Sequence, residues 1–267
     1  MTLAPLVDVH THLTHEDFRG EVDVVVERAV AAGLGAIVVN GLNPESNRQV
    51  LELATRHPQI KAALGIYPID AVNDQLPPDL PFSVASFDVD QELLWIEAQA
   101  QAGRVFALGE CGLDGYWVGE STFKRQEQVF ETFIDIAKRY QLPLIIHTRK
   151  LEQRAAEILV HHGVTKVNFH CFGGKVRLAQ QWSEKYGWWF SIPANATVNE
   201  GFRKMLLVLP PERILTETDA PYLTPIKGQR NEPATVASTI DLLASLRNWT
   251  IAETRERIWS NFKSLTA

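Results

Sequence analysis

Two histidines two residues apart, His10 and His12, close the apolar segment Leu6-Val7-Asp8-Val9-His10-Thr11-His12. Side chains at i and i+2 of a strand share a face, so both imidazoles point together with Asp8 beneath them. A chelating pair on one rigid strand is metal-ligand chemistry. The same placement recurs along the chain. Glu110 follows Val105-Phe106-Ala107-Leu108-Gly109, His147 follows Pro143-Leu144-Ile145-Ile146, His170 follows Lys166-Val167-Asn168-Phe169, and Asp219 ends the run Arg213-Ile214-Leu215-Thr216-Glu217-Thr218. Taken singly, each is most simply a hydrogen-bonded strand end. Recurrence changes that reading, because buried carboxylates must be paired or coordinated. The other histidines have ordinary places: His15 in a loop, His57 before Pro58, and His161 and His162 in a last helical turn, where the dipole favours them.

Four imidazoles and two carboxylates are too many for one four-coordinate zinc with an open position, and about right for two ions sharing a bridge. His10 and His12 with Asp219 form one set, since the first and last strands of a closed barrel are neighbours. His147 and His170, from consecutive strands, form the other, and Glu110 bridges. Such ions, about 3.5–4 Å apart, activate a water and stabilise attacking and leaving oxygens in phosphate ester hydrolysis. Asp219 is the candidate to orient that water and take its proton. Mixed imidazole and carboxylate donors leave magnesium, manganese and zinc all open.

These residues require a scaffold that gathers five strand ends, and the patterning supplies one. Strand and helix segments alternate from the first strand to two closing helices at Pro233 to Leu246 and Ile251 to Phe262. Strands are predicted at Ala36 to Val39, Ala62 to Ile66, up to Glu110, up to His147, up to His170, at Trp188 to Ile192 and up to Asp219. Eight βα units without interruption predict an α/β fold: a TIM (β/α)8 barrel over residues 1–267, one domain, with its active site at the C-terminal ends of the strands. The long loop from Asp70 to Phe87, with Pro77, Pro78 and Pro81, lies on that side as a lid or a rigid spacer.

A hydrophobic fraction of 45% supplies a sizeable core, and a net charge of −6 argues against a broad basic surface for duplex binding. Cations bound at the site would reverse the sign locally. No apolar run approaches the ~18 residues of a membrane span, and the first residues lack a secretory pattern, so a cytoplasmic protein with no membrane partner is expected. Two cysteines, Cys111 and Cys171, are too few for a disulfide framework and read as small packers.

The motifs have a recognisable order. Asp-Val-His-Thr-His at 8–12, Leu-Gly-Glu-Cys-Gly-Leu-Asp at 108–114, Ile-Ile-His-Thr-Arg at 145–149, His-Cys-Phe-Gly-Gly at 170–174, Glu-Thr-Asp-Ala-Pro-Tyr at 217–222 and Arg-Asn-Glu-Pro at 230–233 together resemble the TatD family of metal-dependent hydrolases. The resemblance spans almost the whole chain. It implies a barrel of the amidohydrolase superfamily and deoxyribonuclease activity dependent on divalent metal. DNA, single-stranded or at its ends, is then the substrate, and no obligate protein partner is expected. His10, His12, Glu110, His147, His170 and Asp219 become the ligands, with Glu110 and Asp219 catalytic, and Arg149, Arg230 and Asn231 lie near the substrate.

One departure stands out. Where the family carries Gly-x-His-Pro-His after the third strand, this chain reads Gly65-Ile66-Tyr67-Pro68-Ile69. Tyr67 can donate a hydrogen bond to a phosphate but cannot titrate near neutrality. The metal set is untouched, while the substrate stays open among DNA, RNA and small molecules. The rival chemistry is hydrolysis of a small amide, lactone or ester, often built around a carbamylated lysine at the end of strand four. Residues 107–114 contain no lysine. A non-catalytic metal-binding scaffold is the third possibility.

Overall fold

The computed structural model describes residues 3–267. Eight strands form one parallel sheet in sequence order: β1 Leu6–Thr11, β2 Leu34–Asn40, β3 Ile60–Leu64, β4 Ala107–Asp114, β5 Leu144–Arg149, β6 Val167–Phe169, β7 Trp189–Pro193 and β8 Ile214–Glu217. Their interior is Val, Ile, Leu and Ala with almost no exposure, as expected for strands covered on both faces. The sheet curls until β8 meets β1. There Thr216 Oγ1 donates to the Val7 carbonyl at 2.7 Å, Asp219 N to the His10 carbonyl at 2.9 Å, and His12 N to the Ala220 carbonyl at 2.8 Å. The architecture is a TIM barrel, as the alternation predicts.

The outer ring is α1 Val22–Ala31, α2 Pro44–Arg56, α3 Val89–Gln101, α4 Phe123–Tyr140, α5 Glu152–His162, α6 Val176–Tyr186, α7 Glu200–Val208, α8 Ala237–Arg247 and α9 Ile251–Thr266. In α4 the buried positions Gln126, Val129, Phe130, Phe133, Ile134 and Ala137 recur with helical period, which turns one stripe onto the sheet. Helix α2 starts on a capping box between Asn43 and Ser46 with Pro44 in its first turn, and these fix the loop after β2 at the mouth. No helix among the described residues is long and apolar enough to cross a membrane.

Two boundaries differ from the sequence expectation in ways that matter for the site. Strand β4 does not stop at Glu110 but runs on to Asp114, after a register irregularity between Leu108 and Cys111. Strand β3 starts and ends two residues earlier than expected, so Gly65 and Ile66 already belong to the mouth. The long loop after β3 is not loose coil. Ile69, Val72 and Val118 form a small apolar cluster with Tyr67, Leu76, Leu80, Val84 and Trp117, which ties this loop to the one after β4.

Candidate metal centre

All six residues that end strand patterns meet at the C-terminal mouth. Glu110 occupies its centre. Its Oε2 lies 3.3 Å from His10 Nε2 and 3.4 Å from His12 Nε2, while its Oε1 lies 2.9 Å from His147 Nδ1 and 3.1 Å from His170 Nε2. Asp219 Oδ1 closes the first side at 3.3 Å from His12 Nε2 and 3.6 Å from His10 Nε2. The ring of His10 stacks on that of His170 with centroids 3.7 Å apart, so the two sides share a wall. Overlapping triads of ligand atoms, each within 4.8 Å of one another, run through the whole group. That donor set suits divalent cations.

The backbone makes this crowding possible at defined points. A Cβ on Gly65 would lie 2.3 Å from the Glu110 carbonyl oxygen, and one on Gly112 would lie 2.1 Å from the His147 carbonyl oxygen. Only glycine lets β3 and β5 close on β4 around the central carboxylate. Asp219 sits in the left-handed region with φ 55°, which Asp and Asn tolerate better than most residues. Its backbone N–H, bonded to the His10 carbonyl, holds the carboxylate over the first histidine pair.

The electrostatics follow from burial and neighbours. Burial pushes the His10 imidazole down to about 4, helped by the facing His170, so it is a neutral donor at working pH. For Glu110, burial favours the acid. The His170 charge and hydrogen bonds to His10, His147 and His170 outweigh it and hold the carboxyl well below its usual range. Burial likewise opposes charge on His147, yet hydrogen bonds to Asp114 and Glu110 push it up to about 9. Without a cation, His147 therefore carries a proton between the two carboxylates. A metal would displace the proton at Nδ1 and leave the one shared with Asp114.

Sequence reasoning gave no role to Asp114, which the structure places directly behind His147. Its Oδ2 is 3.0 Å from His147 Nε2, and its Oδ1 accepts from the backbone N–H groups of Tyr116 and Trp117. A carboxylate behind a ligating imidazole fixes the ring and its tautomer. The available signal was spacing, since Glu110, Gly112 and Asp114 alternate along one strand. Asp8 plays a bracing part on the other side, accepting from His10 N and from Thr218 N and Oγ1. Glu217 accepts from Cys171 N and Ser191 Oγ beneath His170, whose Nδ1 has no hydrogen-bond partner among the described residues. Cys111 is buried among the strands, as a packing residue would be.

The residues expected near a substrate are placed less uniformly. Tyr67 stands at the mouth, its ring edge-on to His147 at 4.9 Å and its hydroxyl 3.4 Å from Asp114 Oδ2. Arg149 is exposed at the end of β5 and lies over the Tyr116 ring at 3.5 Å. Arg230 is instead turned to the loop after β1, where it pairs with Glu21, donates to the Asp17 carbonyl and covers the Phe18 ring. Asn231 is fully buried. Its amide donates to the Thr218 and Tyr222 carbonyls and its oxygen accepts from Glu232 N and Thr235 Oγ1, so every hydrogen-bonding position is used inside the protein. Contrary to the expectation of substrate contact, Asn231 staples the Asp219 loop.

Comparison with known proteins agrees with this architecture. The sequence profile described as "TatD related DNase" matches residues 7–267. The chain is 31% identical over 266 residues to the uncharacterized metal-dependent hydrolase YabD of Bacillus subtilis, covering 97% of this chain and 98% of that protein. It is 31% identical over 253 residues to the 3'-5' ssDNA/RNA exonuclease TatD of Salmonella typhimurium, covering 91% of each. The crystal structure of YjjV, a TatD homolog from Escherichia coli, superposes with a TM-score of 0.83 at 27% identity, covering 98% of this chain and 97% of that one. The chain belongs to the TatD family of metal-dependent hydrolases.

Proposed function

We propose that the protein hydrolyses phosphodiester bonds of single-stranded DNA with two divalent cations, held by His10, His12, Asp219 and Glu110 on one side and by Glu110, His147 and His170 on the other. The observation that carries this reading is the central carboxylate, whose two oxygens face separate pairs of imidazoles. When bound, the cations supply a lowered water pKa and neutralise charge on the reacting phosphate. The protein's own groups do the rest. Asp219, held below the usual carboxylate range because its hydrogen bond to His12 outweighs burial, accepts the proton of the attacking water. The water oxygen bonds to phosphorus, one ester P–O bond breaks, and the alkoxide leaves as the alcohol after protonation at the open mouth. Arg149 offers the neighbouring phosphate a cation. The names of the Salmonella relative and of the family profile support a nucleic-acid substrate.

The test is to strip the protein with chelator, reload it with manganese, magnesium or zinc, and assay single-stranded DNA beside aryl esters and cyclic amides. Hydrolysis of DNA that returns only with metal, and an unchanged circular dichroism spectrum in chelator, are expected, because apolar layers carry the barrel. Turnover of amides or esters but not DNA would reverse the substrate assignment. Global unfolding in chelator would make the metals structural.

Tyr67 gives a second prediction. Burial and the nearby carboxylates of Glu110 and Asp114 push its phenol above its ordinary range, so it is a neutral hydrogen-bond donor at any working pH. Tyr67→His introduces a group that charges near pH 6.5. The variant is expected to raise kcat/KM on an oligonucleotide about fivefold at pH 6, roughly 1 kcal/mol of barrier. The advantage should vanish by pH 8.5, where the imidazole is neutral. Tyr67→Phe is expected to fall below wild type at both. A gain independent of pH would show that charge at this position is not the cause.

A further inference from the structure

A sugar alkoxide leaves a phosphate poorly unless a proton reaches it, and the fold holds a donor on the side where it departs. In a displacement at phosphorus the attacking and leaving oxygens lie roughly in line. Asp219, which takes the proton of the attacking water, stands on the side of Glu110 that holds His10 and His12, with its Oδ1 3.3 Å from His12 Nε2. The leaving oxygen therefore emerges on the opposite side, toward His147. Tyr67 stands there, its ring edge-on to His147 at 4.9 Å and its hydroxyl 3.4 Å from Asp114 Oδ2. That bond is long and gives up little when the proton turns to another acceptor.

The phenol is held in place from both directions. Gly65 lets the chain after β3 press against the Glu110 backbone, and two residues on, Tyr67 N donates to the Leu42 carbonyl at 2.9 Å while the Tyr67 carbonyl accepts from Ala71 N at 2.9 Å. The ring packs on the cluster of Ile69, Val72 and Val118. The side chain is only partly buried, so its oxygen can regain a proton from solvent at the mouth. Its neighbours cannot do the same. Asp114 is an acceptor, taking the N–H groups of Tyr116 and Trp117 on Oδ1 and facing His147 and Tyr67 with Oδ2. His147 turns one nitrogen to Asp114 and the other to Glu110, and Arg149 does not release its proton in proteins. A phenol holds a proton that an alkoxide takes readily, because an aliphatic alcohol is the weaker acid.

We infer that Tyr67 is the general acid of the reaction, giving its hydroxyl proton to the leaving sugar oxygen as the ester bond breaks. The inference rests on the phosphodiesterase reading and names the group that completes it. The water oxygen bonds to phosphorus and its proton passes to Asp219; the P–O bond breaks with its electron pair on the sugar oxygen, which takes the proton of Tyr67. Solvent then reprotonates the phenolate and receives the proton of Asp219.

The test gives the metal-loaded enzyme two diesters that differ in their need for a proton. A single-stranded oligonucleotide expels a sugar alkoxide, whereas bis(4-nitrophenyl) phosphate expels 4-nitrophenolate, which is stable without one. Tyr67→Phe keeps the ring and its packing. It is expected to lower kcat on the oligonucleotide about a hundredfold, the low end of the usual worth of acid catalysis, and to leave kcat on bis(4-nitrophenyl) phosphate within about threefold of wild type. Tyr67→His should restore the oligonucleotide rate at pH 6, where an imidazolium has a proton to give. Two readouts without turnover accompany these: metal content per chain, and the Kd of an oligonucleotide with methylenephosphonate linkages, which cannot be cleaved. Both are expected to match wild type in Tyr67→Phe. Equal losses on the two diesters, or a Kd that rises as far as kcat/KM falls, overturn the inference and leave Tyr67 as a phosphate contact. Full oligonucleotide activity in Tyr67→Phe overturns it as well. No turnover of either diester by the loaded wild-type enzyme overturns the phosphodiesterase reading, and the general acid with it.

Discussion

Replacing Glu110 by glutamine is expected to lower kcat/KM on DNA by at least about a thousandfold, roughly 4 kcal/mol of barrier, while the barrel stays folded. Glu110 alone among the six residues faces both donor pairs, and it is 3% exposed. Glutamine keeps the shape and volume, so no cavity opens in the core. What it loses is the charge and one acceptor oxygen, replaced by an amide that points N–H groups at imidazole nitrogens. In the free protein the same carboxylate holds His147 protonated, so the substitution also releases that proton at lower pH. Metal analysis after dialysis should show fewer than two ions per chain, and circular dichroism should match wild type. Activity within about tenfold of wild type, with two ions still bound, would remove Glu110 from the bridging position.

Asp219→Asn should cost about as much in rate, a factor on the order of a thousand, but for a different reason, and its metal content should distinguish the two. Asparagine tolerates the left-handed backbone at φ 55° as aspartate does, and the backbone N–H bond to the His10 carbonyl survives. The loop is further held by Asn231 from beneath. The loss is therefore of a proton acceptor, whose usual worth in such reactions is about a hundred- to ten-thousandfold. Most of the metal should remain. Parallel losses of metal and rate in both variants would make Asp219 a ligand with no separate role in proton transfer.

The parts of this site that were legible in the sequence are those with a local signature. A ligand at the end of an apolar run is visible because burial and position are both written into a few consecutive residues, as at His147 after Leu144-Ile145-Ile146. Helix α6 has its expected ends, Val176 and Tyr186, because Gly187 stops it in the left-handed conformation that glycine favours. The true end of strand β4, at Asp114, is hidden for the opposite reason. Glycines at 109 and 112 weaken the strand pattern, and only the approach of the β5 backbone at Ile145 and His147 shows why they are there. Arg230 and Asn231 could not be placed from sequence, since their partners, such as Glu21 and Thr218, become neighbours only when the barrel forms. The same holds for Asp114, whose meaning depends on His147 arriving from the next strand.

The closure of β8 onto β1 has a consequence for how the protein acquires its chemistry. His10 and Asp219 share one side of the centre, and the hydrogen bonds that bring them together join the first strand to the last. Each neighbouring strand pair before that step can form from segments close in the chain, whereas this pair must close a loop of most of its length, the slowest kind of contact to make. A nascent or partly folded chain can thus hold the Glu110, His147 and His170 donors while still lacking the other side. Cations that bind only the closed barrel draw the folding equilibrium toward it. The hydrolytic centre is in this sense a seal on the finished topology, since three of its six donors, His10, His12 and Asp219, come together only where the last strand joins the first.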